Sequence, residues 1–369
     1  MALVLNQDET MIADTARGLF ARHAPVSTLR ALRDSGEPLC RDRSLLARLA
    51  ENGLVAPDLA ESDGGLGLGA IAAGLIAEQA GHVLAAVPLL ASAMAGRLLA
   101  GVADGGQKHR LIPAIVAGES VLALALEEAP RHRAGPVCAT ARQDASGWTI
   151  CGSKTSVIEG FAADGYLVSA RAGGDVAIFH VANGAAGLEV ERLAAIDSRN
   201  YARLRLVETP AERLGTGDAE AAICATLDLG RALLAAELLG ICDEAFARTV
   251  AYLKQREQFG RPIGSFQALQ HRAARLYARL EVARGTVIAA LRAIDEQAAD
   301  ATWLASLAKS VMSKLARELL AEAIQMHGGI GVTDAYDIGL FVKRGQCAGE
   351  LLGDDRFHTE RLARDYWNL

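Results

Sequence analysis

Apolar residues recur at steps of three and four through DAEAAICATLDLGRALLAAELLGICDEAFARTVAYLKQ, residues 218–255. This spacing is that of one helix face, sustained for more than about nine turns at about 3.6 residues per turn. Two runs of similar length follow, at 268–297 and 300–329. Long helices joined by short connections bury their apolar faces by packing on one another. The C-terminal part of the chain is therefore predicted to form an antiparallel four-helix bundle.

The rest of the chain shows two other patterns. The stretch before residue 117 carries more helical spacing, whereas 117–212 consists of short β-prone runs separated by Gly, Asp and Asn. The second pattern predicts a small antiparallel β domain. The fold class is therefore multi-domain α+β, with an N-terminal all-α domain at 1–116, a middle β domain at 117–212 and a C-terminal helical bundle at 213–369.

The composition excludes several classes of protein. The chain has 369 residues, of which 51% are hydrophobic, and a formal net charge of −6. A negative charge without a Lys/Arg-rich run argues against nucleic-acid binding. The N-terminus lacks the basic and apolar regions of a signal peptide, and no apolar run reaches the roughly 18 residues of a membrane span, so we expect a cytoplasmic protein. The six Cys and eight His show no metal-ligand spacing, and no metal site is predicted.

The glycine-rich run GGLGLG, residues 64–69, loosely matches the G-x-G-x-x-G pattern of dinucleotide-binding proteins. That pattern requires a preceding strand and a βαβ unit, because the pyrophosphate lies at the start of the helix that follows the strand. Here the preceding residues are VAPDLAESD, which do not resemble a strand. A Rossmann-type site is therefore rejected, and a flexible loop is expected.

The connection between the first two long helices, REQFGRPIGSFQALQH at 256–271, has more chemical character than a turn requires. Glycine and proline explain the break in the helix. They do not explain Arg256, Phe259 and Gln267. An Arg guanidinium gives paired, charge-assisted hydrogen bonds to a phosphate, and a Phe ring offers a face to a flat ring. The connection therefore favours a binding role.

The third long helix ends in QMHGGIG, residues 325–331. One glycine in the left-handed conformation is enough to end a helix. Two adjacent glycines followed by a third exceed that need, and bare backbone allows a ligand to approach closely. The segment is a second candidate binding element.

Together these residues resemble the acyl-CoA dehydrogenase family. REQFGRPIGSFQALQH and QMHGGIG are similar to its two most recognisable motifs. ESDGGLGLG…EQAGHVLAAVP and LIPAIVAGES resemble its N-terminal helical domain, and GWTICGSKTSVIEGFAADGYLVSAR resembles its β domain. The resemblance covers nearly the whole chain. It implies a tetrameric FAD enzyme, a dimer of dimers, in which a carboxylate removes the α-proton of an acyl-CoA thioester and the β-hydrogen leaves as hydride to the flavin.

The resemblance also assigns cofactor-binding residues. In the family, the matching positions hold the pyrophosphate and adenosine of FAD and reach across a dimer interface into the flavin site of the neighbouring subunit. This half of the FAD site is complete in the sequence. Its residues here are Arg256, Gln258, Phe259, Gln267, Gln325, Gly328 and Gly329.

The other half of the site departs from the family pattern. The family's β domain carries a T-E-P-G-A-G-S-D-like loop that holds the flavin ring and the thioester region. The corresponding residues here, 126–135, read LEEAPRHRAG and contain neither a Gly-rich turn nor a Ser or Thr. Ser156 and Ile158 stand where the family usually has an aromatic residue and a Thr. The resemblance therefore implies that a flavin ring would lose contacts here.

The residue that should remove the proton is missing as well, so the catalytic residue stays unassigned. The two positions that carry the catalytic Glu in different branches of the family are Leu352 and Gly230 here. Three carboxylates are candidate substitutes: Glu237, Glu350 and Asp354. Glu237 lies on the face of Gly230 but about 10 Å further along the helix. The other two flank Leu352 and, in a helix-like segment, would point away from it. All three are expected to be solvated or ion-paired.

Three hypotheses follow. In the first, the chain is the non-catalytic-type subunit of an α2β2 heterotetrameric dehydrogenase acting on a steroid or bile-acid side chain, since KRGQCAGELLGDDRFHTERLA resembles the C-terminal pattern of such branches. Its partners would be an acyl-CoA substrate, a paralogous subunit and electron-transfer flavoprotein or an equivalent acceptor. The second is a self-sufficient homotetramer with a displaced base. The third, a non-enzymatic scaffold or acyl-CoA binder, is disfavoured because a scaffold does not need a diphosphate-binding Arg.

Overall fold

A computed structural model of the protein describes residues 3–37, 41–133 and 135–367. The helices are α1 (Gln7–His23), α2 (Val26–Asp34), α3 (Arg43–Glu51), α4 (Gly69–Val83), α5 (Leu89–Val102), α6 (Gly105–Val116), α7 (Glu220–Gln255), α8 (Gln267–Asp295), α9 (Ala301–His327), α10 (Ile338–Glu350) and α11 (Asp355–Trp367). The strands are β1 (Leu122–Ala125), β2 (Thr140–Asp144), β3 (Gly147–Ile158), β4 (Gly165–Ala172), β5 (Asp175–Ala182), β6 (Leu188–Leu193), β7 (Tyr201–Leu214), β8 (Glu257–Gln258) and β9 (Arg261–Pro262).

The predicted order of helices, strands and helices is confirmed. Helices α1 to α6 end at Val116, β1 to β7 follow, and the three predicted long helices are α7, α8 and α9. Strand β7 continues to Leu214, past the predicted end of the β region at 212. Two shorter helices, α10 and α11, complete the C-terminal part, and both pack on α9. In the described ranges, every helix is too short or too polar to cross a membrane.

The chain packs as two compact units that are discontinuous in sequence. One unit comprises the described residues of Met1–Leu29, Gly74–Ala85 and Arg231–Leu369, and the other comprises those of Arg30–Ala73 and Ala86–Gly230. Helices α4 and α7 contribute to both. The division of the chain at 116 and 212 follows secondary-structure content, and as a set of domain boundaries it stays a prediction.

The unit that contains the strands is built on a closed ring. Strands β4, β2, β3, β7 and β5 pair in that order and β5 returns to β4, while β1 is added to β4 and β6 to β7. Most pairings are antiparallel, as predicted, but β4 pairs in parallel with β1 and β2. Closure satisfies the strand edges that an open sheet would leave unpaired.

Alternation along β4 connects this ring to the helices beside it. Tyr166, Val168 and Ala170 point to one side and join the core of the ring, whereas Leu167 points to the other side. There Leu167 belongs to the apolar cluster formed with helices α5 and α6. The Tyr166 hydroxyl donates to the Gly160 carbonyl at 2.9 Å, and burial raises the pKa of Tyr166 to about 12.

In the other unit, α8 and α9 form the pair that the sequence pattern predicts. The α8 residues Leu276, Leu280, Ala283 and Val287 recur at steps of four and three and are buried. Ion pairs Arg272–Glu322 and Arg279–Glu318 run along the edge of this contact, so residue numbers rise in α8 as they fall in α9. The two helices are therefore antiparallel, as predicted.

Helices α4 and α7 approach each other more closely than side chains would allow. A Cβ at Gly81 would lie 2.3 Å from the Glu237 carbonyl oxygen, and one at Gly240 would lie 1.9 Å from the Glu78 carbonyl oxygen. Both distances are well below contact between a methyl group and an oxygen atom. The two glycines therefore set the spacing of this helix pair.

Gly240→Ala is expected to lower the free energy of unfolding by about 1–3 kcal/mol or more, because the added methyl must push two backbones apart. Gly18→Ala is the matched control, since Gly18 lies in α1 and a Cβ there meets nothing within 4 Å. That change should stabilise the chain by roughly 0.5–1 kcal/mol through helix propensity. Urea unfolding of both variants measures the difference, and equal effects would contradict the close-packing interpretation.

Candidate functional site

The connection between α7 and α8 is a miniature hairpin. Strands β8 and β9 pair Glu257 with Pro262 and Gln258 with Arg261. The two residues at its tip are both left-handed, Phe259 at φ 55° and Gly260 at φ 76°. This is the backbone of a tight hairpin turn, for which glycine is suited and phenylalanine is not. Phe259 is nevertheless 91% exposed.

The backbone of this hairpin is fixed, whereas its polar side chains point outward. The Arg256 amide donates to the Tyr252 carbonyl and the Arg256 carbonyl accepts from the Ile263 amide, both at 2.8 Å. The side chains of Arg256 and Gln267 are exposed, and neither has a hydrogen-bond or ion-pair partner in the described part of the chain. Gln258 is also exposed. The arrangement leaves the predicted binding groups available to something outside the chain.

The second predicted element forms the end of α9. Gly328 ends the helix with φ 64° and ψ −143°, a conformation essentially restricted to glycine. Gln325, Gly328 and Gly329 are exposed, and a Cβ at either glycine would meet nothing within 4 Å. Open space rather than close packing lies in front of this backbone. That observation fits a surface that a ligand or another subunit covers.

The fold brings the two elements to the same end of the helices. The Tyr252 ring, one turn before Arg256, stacks on the ring of His327 with centroids 4.6 Å apart. On the other side, the Arg272 Nε near the start of α8 donates to the Glu322 Oε2 near the end of α9 at 2.6 Å. The hairpin and the glycine pair, far apart in sequence, therefore belong to one surface.

In the loop after β1, residues 126–133, the two acidic side chains bond within the chain, Glu127 to His132 and Glu128 to β3 and its neighbours. Glu128 accepts from the Lys154 ammonium at 2.7 Å and from the backbone amides of Cys138 and Ala139 at 2.7 and 2.9 Å. Burial alone would raise the pKa of Glu128, but these hydrogen bonds outweigh it and leave the pKa below its ordinary value. Lys154 is fully buried. The loop is thus fastened to β3, and Ala134 lies outside the described residues.

The connector between α10 and α11 is held by buried basic side chains. The Lys309 ammonium donates to the carbonyls of Gly349 and Gly353 at 2.7 and 2.9 Å. The Leu352 carbonyl accepts from the Arg231 Nε at 3.3 Å and bonds the His358 Nε2 at 3.1 Å. Burial lowers the pKa of Lys309 to about 7. Three carbonyls within five residues are therefore fixed from three directions.

A separate cluster of ionisable groups joins α4, α7 and α8. Glu78, His82 and Asp243 offer three ligand-type atoms within 4.8 Å of one another. The Arg284 guanidinium lies 2.6 Å from the Glu78 carboxylate and 3.4 Å from that of Asp243. A guanidinium therefore supplies the positive charge that a metal ion would bring, and the cluster is an ion-pair network.

Comparison with known proteins decides the family. A model described as "Acyl-CoA dehydrogenase, C-terminal domain" matches residues 220–366, and "Acyl-CoA dehydrogenase, N-terminal domain" matches 6–119. Acyl-CoA dehydrogenase IpdE2 of Mycobacterium tuberculosis is 31% identical over 364 residues, covering 98% of both chains. The chain belongs to the acyl-CoA dehydrogenase family. Its members are oxidoreductases.

Two solved structures extend the comparison of this acyl-CoA dehydrogenase chain. A variant of the steroid ACAD Tcur3481-Tcur3483 is 34% identical, with a TM-score of 0.89 and coverage of 98% of both chains. The ChsE4-ChsE5 complex of Mycobacterium tuberculosis is 26% identical, with a TM-score of 0.89 and coverage of 100% of both chains. The predicted fold of a helical, a β and a second helical region is thereby confirmed.

Family membership implies FAD, and the two halves of a FAD site fit this chain unequally. The surface around Arg256 and the glycine pair at the end of α9 offers an unpaired guanidinium, an exposed ring and open backbone, which suit a dinucleotide diphosphate. The loop that includes Glu128 does not fit a flavin ring, because its carboxylate and the amides it binds are already paired with each other. At Ser156, β3 is distorted by a bulge with φ 53°.

The carboxylates considered as substitute bases are engaged elsewhere or face solvent. Glu237 is buried and lies 3.6 Å from the Arg344 guanidinium. Glu350, the last residue of α10, is exposed and accepts from Gln346. Asp354 caps α11, accepting from the Phe357 amide at 2.8 Å. The expectation of paired or solvated carboxylates therefore agrees with the geometry.

One local expectation is wrong. The segment around Leu352 was expected to be helix-like, but α10 ends at Glu350 and Leu352 is a buried turn residue with φ 55°. Helical periodicity therefore does not decide where Glu350 and Asp354 point. Sequence reasoning missed the residues that shape this turn, Arg231, Lys309 and His358. A signal existed for Lys309, which lies on the apolar face of α9 between Ala305 and Met312.

The folded chain is expected to lose stability in acid through His358. Burial, with help from Arg231 and Lys309, lowers the pKa of His358 from its ordinary 6.5 to about 2. Below about pH 6.5, His358 is therefore protonated in the unfolded chain but stays neutral in the folded chain. The free energy of unfolding falls as the pH drops from 6.5 towards 2. Between pH 7.5 and pH 5 this one group costs about 2 kcal/mol.

His358→Gln removes the titration and keeps a side-chain donor for the Leu352 carbonyl. Urea unfolding at pH 7.5 and pH 5 should show a smaller loss of stability in the variant than in the native chain, by about 2 kcal/mol. Measurement at pH 7.5 controls for the packing change, because the imidazole is neutral there. Equal losses in the two proteins would refute the assignment of a buried, neutral His358.

Proposed function

We propose that this chain is the subunit of a heteromeric acyl-CoA dehydrogenase that completes the FAD site of a paralogous partner. It contributes Arg256, Gln258, Phe259 and Gln267 from the hairpin, together with the end of α9, to the diphosphate and adenosine of that flavin. The partner contributes the flavin-ring pocket and the carboxylate that removes the α-proton. The residues from the end of α9 are Gln325, Gly328 and Gly329.

The observation that carries the proposal is the state of the hairpin. Phe259 is 91% exposed in a left-handed conformation, and Arg256 beside it has no side-chain partner in the described residues. A strained, exposed ring next to an unpaired cation is costly in an isolated chain. It is suited to a cofactor that approaches from another subunit.

The division of labour follows from what each side chain can do. Bound FAD supplies a hydride acceptor. Arg256 would neutralise its diphosphate, and Phe259 would cover an apolar face of the nucleotide. Leu352 and Gly230, at the family positions of the base, cannot accept a proton. Glu237 is held by Arg344. The proton would therefore be removed by a residue of the partner.

The comparisons support a heteromer with a bulky substrate. Two of the similar structures are named for a pair of proteins: the steroid ACAD Tcur3481-Tcur3483 and the ChsE4-ChsE5 complex. We extend this to an α2β2 tetramer acting on an acyl-CoA with a steroid or bile-acid side chain. A cytoplasmic location and electron-transfer flavoprotein, or an equivalent electron acceptor, complete the proposal.

The chain purified alone is expected to be colourless and inactive, whereas the complex co-expressed with its paralogue is expected to be yellow and to desaturate an acyl-CoA.

In that complex, Arg256→Ala should raise the Kd of FAD by about tenfold or more, because it removes a charge-assisted contact worth about 1.5–3 kcal/mol. Fluorescence titration of the deflavinated complex measures the change. Arg275→Ala is the control, since Arg275 is an exposed α8 side chain 4.0 Å from Glu318.

Two outcomes would replace the proposal. A yellow, active chain without any partner would establish the self-sufficient homotetramer with a displaced base. An unchanged FAD affinity in the Arg256→Ala complex would leave the hairpin without a cofactor role and favour the scaffold hypothesis. If the chain alone is colourless and Arg256→Ala weakens FAD binding in the complex, both alternatives are excluded.

A further inference from the structure

Three rings meet behind the proposed nucleotide surface. The ring of His327 lies 4.6 Å from that of Tyr252 and 4.9 Å from that of Tyr336, measured between centroids. The two tyrosine rings are 6.3 Å apart. Tyr252 belongs to the last turn of α7, His327 ends α9, and Tyr336 precedes α10. This ring cluster therefore joins the ends of three elements.

The central ring is held in one orientation. His327 is 2% exposed, and its Nδ1 lies 2.7 Å from the Ala323 carbonyl oxygen, one turn back on its own helix. A carbonyl only accepts, so Nδ1 carries the proton and Nε2 is an acceptor. Nε2 is buried and has no hydrogen-bond partner in the described residues. One hydrogen bond, a stacked contact with Tyr252 and a tilted contact with Tyr336 therefore fix the imidazole.

This ring stands directly behind both binding elements. The Tyr252 carbonyl accepts from the Arg256 amide, so Tyr252 anchors the first residue of the hairpin. His327 is the residue before Gly328. A shift of the imidazole would change the separation between the guanidinium of Arg256 and the bare backbone of the glycine pair, without touching the ligand itself.

A second set of contacts restrains the ring cluster from the side of α10. The Arg248 Nη1 donates to the Asp337 carboxylate at 3.2 Å, and its guanidinium lies 5.2 Å from the centroid of the Phe341 ring. Arg248 is one turn before Tyr252 on α7, and Asp337 is next to Tyr336. These contacts hold α7 against the start of α10, whereas the Tyr252–His327 contact holds α7 against the end of α9.

We propose that His327 is a positioning residue for the nucleotide half-site: it sets the distance between the Arg256 guanidinium and the Gly328–Gly329 backbone and does not itself contact FAD. This inference rests on the proposed function. A histidine suits the role because one flat ring can stack on Tyr252, pack against Tyr336 and bond to the Ala323 carbonyl. A phenylalanine keeps the stacking and loses the bond, whereas a leucine loses both.

The test is a double-mutant cycle on FAD affinity in the co-expressed complex. His327→Phe should raise the Kd of FAD by about tenfold while leaving the thermal midpoint unchanged or higher, because it also removes a buried, unpaired nitrogen. His327→Leu should raise the Kd further. If His327 acts through Arg256, the double variant His327→Phe with Arg256→Ala should bind FAD almost as well as Arg256→Ala alone.

Tyr277→Leu is the matched control, because Tyr277 stacks on Phe246 with centroids 6.0 Å apart, elsewhere in the same packing unit. It should leave the Kd of FAD unchanged. Unchanged affinity in both His327 variants, with a weakened Arg256→Ala complex, would overturn the inference and leave the proposed function standing. Additive effects of His327→Phe and Arg256→Ala would also overturn it. An unchanged Arg256→Ala complex would refute the proposed function itself.

Discussion

The antiparallel pairing of α8 with α9 is the constraint on which the binding surface depends. It places the start of α8 beside the end of α9, and the Arg272–Glu322 contact marks this register at the relevant end. Two segments separated by about sixty residues in sequence thereby share one surface. A slip of one helical turn, about 5.4 Å, would separate them. Buried leucines and surface ion pairs thus determine the geometry of the proposed nucleotide surface through helix register alone.

Much of this arrangement was predictable because its signals are local. Each long run shows the apolar periodicity of a helix, and the hairpin and the end of α9 both contain glycines that mark a break in a helix. Arg256, Phe259 and Gln267 stand out in the sequence because a turn does not need them, whereas Gln325 is assigned by the family resemblance. Antiparallel packing of long helices with short connections is what brings the two motifs to one end of the helices.

Other features could not be predicted because they depend on contacts distant in sequence. The parallel pairing of β4 with β1 and β2 depends on how the ring closes, which no strand encodes by itself. The turn at Leu352 arises because Lys309, from a different helix, bonds the carbonyls around it. A lysine in an apolar run can extend its ammonium group to solvent, or it can bury that group as a hydrogen-bond donor. Only the partners that surround it decide.

The conformation of Phe259 has a consequence for stability. A left-handed backbone costs a side chain with a Cβ roughly 1–2 kcal/mol, and glycine would relieve that cost at once. The neighbouring Gly260 adopts a left-handed conformation without this cost. Within the described residues, the aromatic contact of Phe259 is an edge-to-face approach to Phe266, with centroids 6.1 Å apart, and most of the ring faces water. The hairpin tip thus combines backbone strain with an apolar ring that faces water, an arrangement typical of a surface that contacts another molecule.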